Sequence, residues 1–140
     1  MLYANSNIDT EAEFEKRRAA AETLAKAEGV EMAVVPYDHE EWLREVATGY
    51  ENEPEKGARC ARCFKYNLAK AAAFANVHGF DAFTTSLTVS PHKVSEMIFA
   101  ASDDPKFFKE NFKKREGFKR SLKRAHELGL YRQSDRKSVV

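Results

Sequence analysis

Cys60 and Cys63 are the only cysteines of the chain, and they stand together in Arg59-Cys60-Ala61-Arg62-Cys63. Two thiols at this spacing grip one metal ion or cluster, or cycle between dithiol and disulfide. They do not close a four-ligand site by themselves. The pair is therefore half of a site, a redox couple, or two ordinary buried cysteines. A polar Pro/Gly loop, residues 52–58, delivers the chain to Cys60, and helix signals resume at about Ala61. That is a poor place for core residues. A helix N-terminus stabilises thiolate, as do Arg59 and Arg62, and thiolate is the form that ligates iron or zinc. A thioredoxin-type couple follows a strand. Here a loop precedes it, so metal ligation ranks higher.

A second constellation is Thr84-Thr85-Ser86-Leu87-Thr88-Val89-Ser90-Pro91-His92-Lys93. It starts as a strand and ends as a turn into a helix. In open α/β sheets ligands bind at the carboxyl ends of strands. Hydroxyls of Thr84, Thr85 and Ser90 with Lys93 suit a phosphate or ribose there. A Thr-rich strand with a Ser-Pro helix start explains the same residues without a ligand.

The elements that position these groups alternate. Residues 2–4 form a very short first strand, and Asn5-Ser6-Asn7 is a loop. Asp9 or Thr10 caps a helix that Gly29 ends. Met32 to Val35 is a strand, and 39–48 is a helix with Trp42, Leu43 and Val46 inward. A third helix spans 61–78, with Phe64, Leu68, Ala71, Ala72 and Ala75 at core spacing. Residues 82–87 are β-rich, and helices follow at about 94–101 and 118–128. Strands alternating with helices read as α/β with a mostly parallel sheet.

Composition bounds the partners. The chain has 140 residues, 23 basic and 22 acidic side chains, and a net charge of +1. Binding to nucleic acid by gross charge alone is excluded. Cations crowd the later half: Lys106, Lys109, Lys113, Lys114, Arg115, Lys119, Arg120, Lys123 and Arg124, interleaved with Phe107, Phe108, Phe112 and Phe118. Such a run tracks a nucleic acid strand or is a solvated helix face, and the second is the default. No apolar run approaches the roughly 20 residues that span a membrane. Two lone cysteines fit a reducing cytoplasm. His39, His78, His92 and His126 are scattered and receive no ligand role.

The chain resembles the QueH-type epoxyqueuosine reductases. The resemblance rests on Tyr3-Ala4-Asn5-Ser6-Asn7-Ile8 followed by Phe14-Glu15-Lys16-Arg17, on Glu53-Pro54-Glu55-Lys56-Gly57-Ala58 leading into the Cys-x-x-Cys, and on Gly79 through Lys93. Asn111-Phe112-Lys113-Lys114 and Leu128-Gly129-Leu130-Tyr131-Arg132-Gln133 complete it. It implies a Rossmann-like fold and the last step of queuosine synthesis, reduction of the epoxide of epoxyqueuosine in tRNA. It also implies that Cys60 and Cys63 supply two ligands of a [4Fe–4S] cluster fed by an electron donor. Arg59, Arg62, Thr84, Thr85, Ser90, Lys93, Tyr131, Arg132 and Gln133 are candidate substrate contacts.

The family's adjacent Cys-Cys pair and its later Tyr-Cys-Gly-Cys are not in this sequence. We therefore expect residues 1–134 to be a partial reductase domain truncated at its first strand, marginally stable and inactive alone. Residues 135–140 read back into codons as a sequencing adapter and are expected to be a non-native tail, which adapter-free sequencing of the locus tests. Another class of function stays open: a non-catalytic nucleotide- or RNA-binding α/β module in which Cys60 and Cys63 hold half of a zinc site shared with a second subunit. A thiol–disulfide redox protein is a third.

Overall fold

The computed structural model describes residues 1–54, 57–90 and 93–131. It begins with a β-α-β unit. Strands β1 (Leu2–Tyr3) and β2 (Ala33–Val34) pair in parallel, with Leu2 opposite Ala33 and Tyr3 opposite Val34. Parallel neighbours need a crossover, and helix α1 (Glu11–Glu28) supplies it. The Thr10 hydroxyl accepts from the Glu13 N–H at 3.1 Å, and Glu11 and Glu13 sit at the positive end of the helix. Tyr3, Ile8 and Phe14 pack into one buried cluster beneath it, and the Tyr3 hydroxyl donates to the Phe14 carbonyl at 2.9 Å.

Helix α2 (His39–Trp42) is capped by the Asp38 carboxylate and runs on as a π-helical turn, Leu43–Ala47. Its Trp42 is fully buried with Val46, Ala47 and Tyr66. Helix α3 (Ala58–Val77) is the long axis against which this packs. Glu41 ties the two together, accepting from the Tyr66 hydroxyl at 3.0 Å and pairing with Lys70 at 2.9 Å. On another side of α3, Phe64 and Leu68 meet Ile98 of helix α4 (Ser95–Ala100) and Phe107.

Packing then thins out. A 3₁₀ turn, Ser86–Val89, leads towards α4, and the last helix is α5 (Gly117–Glu127). No side chain of α5 is buried.

The expected helices are all present to within a few residues, and the fold is mixed α/β. The sheet differs from expectation. Among the described residues it has two strands, not the larger Rossmann-like sheet, and the expected strand at 82–87 is reduced to one parallel bridge between Phe83 and Phe107. The hydroxyls explain why. Thr84 donates to the Phe108 carbonyl at 2.7 Å, and Thr85 accepts from the Leu87 N–H at 3.2 Å. The Thr85 bond is local, competes with a strand ladder and turns the chain into the 3₁₀ segment, while the Thr84 bond reaches a carbonyl 24 residues away. No helix among the described residues is long and apolar enough to cross a membrane.

Candidate functional site

Gly57 starts α3, and the reason is steric. A Cβ there would lie 2.9 Å from the Pro54 carbonyl oxygen and 3.0 Å from a Glu53 carboxylate oxygen. The tight approach sets Cys60 in the first turn of α3. Cys63 follows three residues later, so the two thiols share one helix face. Both are free thiols, partly exposed. Cys63 packs against the Trp42 cluster and Cys60 against the Phe64–Ile98 cluster. The pair thus stands where two cores meet, fixed from both sides.

In front of it is a cavity of about 870 Å³, within the range of small-molecule sites and large enough for a nucleoside. Its walls bring together Arg59, Cys60, Cys63, Thr84, Thr85 and Lys93 from the sequence-derived candidates. The Lys93 ammonium sits 5.7 Å from the Phe64 ring centroid. The loop after β1 contributes Asn5 and Asn7, as the strand-end rule expects.

Other candidates lie elsewhere. Arg62 turns its guanidinium onto the Glu45 and Val46 carbonyls and stacks over the Tyr50 ring at 4.6 Å. It does not line the cavity. Ser90 closes the 3₁₀ turn and accepts the Lys93 N–H on its carbonyl at 3.2 Å. Tyr131 docks on α1, its hydroxyl donating to Glu13 at 2.8 Å with Lys16 nearby. Arg132, Gln133 and the tail at 135–140 lie outside the described residues.

Two residues that the motifs did not flag surround Cys63. The Trp42 indole N–H donates to the Cys63 Sγ at 3.4 Å, and the Asn67 amide donates to it at 3.6 Å. Asn67 stands at i+4 from Cys63 on the same helix, which is the signal that would have found it. Its carbonyl oxygen is buried without a partner among the described residues. At Cys63 burial opposes the thiolate form. Burial pushes that thiol up, outweighing the Trp42 hydrogen bond and the Lys93 charge that pull it down. The low dielectric wins over a helix end that is already one turn away.

The donor set suits a thiolate-bound metal centre in part. Two thiols on one face with N–H groups aimed at sulfur are what such a centre uses. Among the described residues no group of three or more His, Cys, Asp or Glu comes together, so such a centre would need further ligands from outside them.

By class, this is a mixed α/β domain with paired thiols on the wall of a nucleoside-sized cavity. The chain belongs to the family described as epoxyqueuosine reductase QueH, whose sequence model matches residues 1–134. It is 38% identical to the epoxyqueuosine reductase QueH of Streptococcus pyogenes serotype M1, over 95% of this chain and 56% of that protein. It is 32% identical to that of Thermotoga maritima, over 95% of this chain and 73% of the relative. For that of Acinetobacter baylyi the identity is 33%, over 95% and 64%. The chain thus spans a little over half the length of the streptococcal relative.

Proposed function

We propose that this chain is the paired-thiol part of an epoxyqueuosine reductase, acting on the epoxide of epoxyqueuosine in tRNA. The observation that carries the reading is the placement of Cys60 and Cys63 on the wall of a nucleoside-sized cavity, in a chain that belongs to the QueH family. The reaction balances as epoxide plus two electrons and two protons giving an alkene and water. Both C–O bonds of the ring break, and the oxygen leaves as water.

Cys60 and Cys63 would hold two corners of a [4Fe–4S] cluster, with the other two thiolates coming from outside the described residues. When bound, the cluster supplies the electrons, drawn from a separate electron donor. The rest is the work of this chain. Trp42 and Asn67 direct N–H groups at the Cys63 sulfur and so tune a ligand charge. Asn5, Asn7 and the free Asn67 carbonyl oxygen offer polar groups to a base edge or hydroxyl. Phe64, Phe74 and Leu68 supply apolar wall that excludes water. Arg59 and Lys93 are cationic side chains on the lining, and the Lys93 Nζ would donate to a developing oxyanion. Thr84 and Thr85 at the rim meet the ribose. The setting is a reducing cytoplasm.

The test is nucleoside mass spectrometry of tRNA from cells lacking the reductase, after complementation with a chain that joins these residues to the missing thiolates. Appearance of queuosine, which has one oxygen fewer, supports the reading. Epoxyqueuosine persisting beside a fully metal-loaded protein overturns it.

The binding-module reading draws on the absence of a third ligand among the described residues, which suits a zinc ion shared between subunits. Metal content separates the two. Iron with inorganic sulfide favours the reductase, and zinc without sulfide favours the module.

A further inference from the structure

A second cleft, of about 1030 Å³, lies on the other side of residues 84–86, and Thr84, Thr85 and Ser86 line both hollows. Its walls are cationic. Lys114, Arg115, Arg120, Lys123 and Arg124 face it, against Glu28, Glu110 and Glu127. Arg124 is committed to Glu28 at 2.8 Å and to Glu127 at 3.5 Å. The side chains of Lys114, Arg115, Arg120 and Lys123 make no ion pair or hydrogen bond with any described residue.

The cleft is built, not frayed. Thr88 is fully buried. Its hydroxyl donates to the Glu110 carbonyl at 2.9 Å and accepts the Phe112 N–H at 3.1 Å. Lys113 is pinned to the Ser95 hydroxyl at 2.9 Å. Arg115 and Glu116 both take left-handed backbone, with φ of 56° and 59°, which is strained for side chains of this size. Gly117 is required, because a Cβ there would fall on the Phe112 carbonyl oxygen. The chain accepts this geometry and in doing so presents Lys114 and Arg115 beside Arg120 and Lys123 of α5. Phe112, 39% exposed, stands on the same lining.

We propose that this cleft binds the sugar–phosphate backbone of the RNA whose modified base enters the thiol cavity. The inference rests on the reading above for what the cavity holds. Three observations select RNA over an acidic protein. The cleft shares residues 84–86 with a nucleoside-sized cavity, so one nucleotide can have its base in one and its phosphates at the other. The four cations without a partner among the described residues line one cleft, as contact with a chain of phosphates requires. An exposed aromatic ring lies among them, as in surfaces that stack bases.

The test is fluorescence anisotropy of the chain with a labelled, unmodified RNA stem-loop over a potassium chloride series. The quadruple variant K114Q/R115Q/R120Q/K123Q is expected to bind about ten- to a hundredfold more weakly at low salt, with its log K against log salt slope reduced by about three to four. The charge-retaining variant K114R/R115K/R120K/K123R, checked with the other for native circular dichroism, is expected to bind as the parent does. An unchanged slope in the quadruple variant overturns the proposal. So does polyglutamate displacing the RNA as effectively as an RNA competitor, which would assign the cleft to an acidic protein. Because the probe carries no modified base, the outcome is independent of the cavity. Failure of the reductase reading would show instead as conversion of epoxyqueuosine by Cys60 and Cys63 variants of the chain joined to the missing thiolates.

Discussion

The two hollows on either side of residues 84–86 are built in opposite ways. The thiol cavity is walled by helices with deep cores. Trp42, Phe64 and Leu68 are at most 5% exposed, and each cysteine packs against a different core cluster. The basic cleft is walled by α5, which buries no side chain, and is held by a few hydrogen bonds to Thr88 and Ser95. Fixed ligand geometry, which the proposed chemistry needs, is kept best by packed side chains. Attraction of a polyanion tolerates a solvated side, because charge acts through distance and needs little packing.

The sharpest way to break this contrast is by truncation on each side. Trp42→Ala removes a fully buried indole and is expected to cost about 3–5 kcal/mol in denaturant unfolding. Leu122→Ala on the partly buried face of α5 is expected to cost under about 1.5 kcal/mol. Equal costs would dissolve the distinction.

Next in size is metal retention. Cys60→Ser or Cys63→Ser is expected to remove iron retention after anaerobic loading, measured by inductively coupled plasma analysis, while the circular dichroism of the chain stays native. Asn67→Leu, which deletes one N–H to sulfur, is expected to weaken metal affinity about tenfold with the fold intact. An Asn67 variant with parent affinity would show that the amide serves only packing.

The smallest effect is electrostatic. Lys70 and then Tyr66, both hydrogen-bonded to Glu41, hold its carboxyl below the ordinary range. A depressed carboxylate contributes stability that is complete above the unfolded pKa and is lost as pH falls through the folded one. Glu41→Gln should therefore melt lower than the parent at neutral pH, with the gap closing below about pH 4.3. A gap constant with pH would contradict this assignment.

Much of the positioning scaffold was legible in the sequence. Thr10 and Gly29 mark the ends of α1 because capping is local chemistry. Cys60 at the start of α3 follows from the loop before it. What escaped was set by tertiary contact. Trp42 reaches Cys63 across 21 residues and Tyr131 reaches Glu13 across 118, and neither pairing has a local signal. The strand expected at 82–87 failed because β-branched threonines that favour a ladder also carry hydroxyls that satisfy backbone groups without one. Arg62 was read as a charge beside the thiols, but the carbonyls at 45 and 46 claimed it.

One measurement bears most directly on the role of the paired thiols: anaerobic reconstitution of the chain with ferrous iron and sulfide, with zinc present as competitor, followed by iron, sulfide and zinc analysis of the parent and of Cys60→Ser/Cys63→Ser. The expected result is at most weak binding of iron together with sulfide, because the chain supplies only two thiolates, and its loss in the double variant. Zinc bound without sulfide, or a metal-free Cys60–Cys63 disulfide, would contradict it.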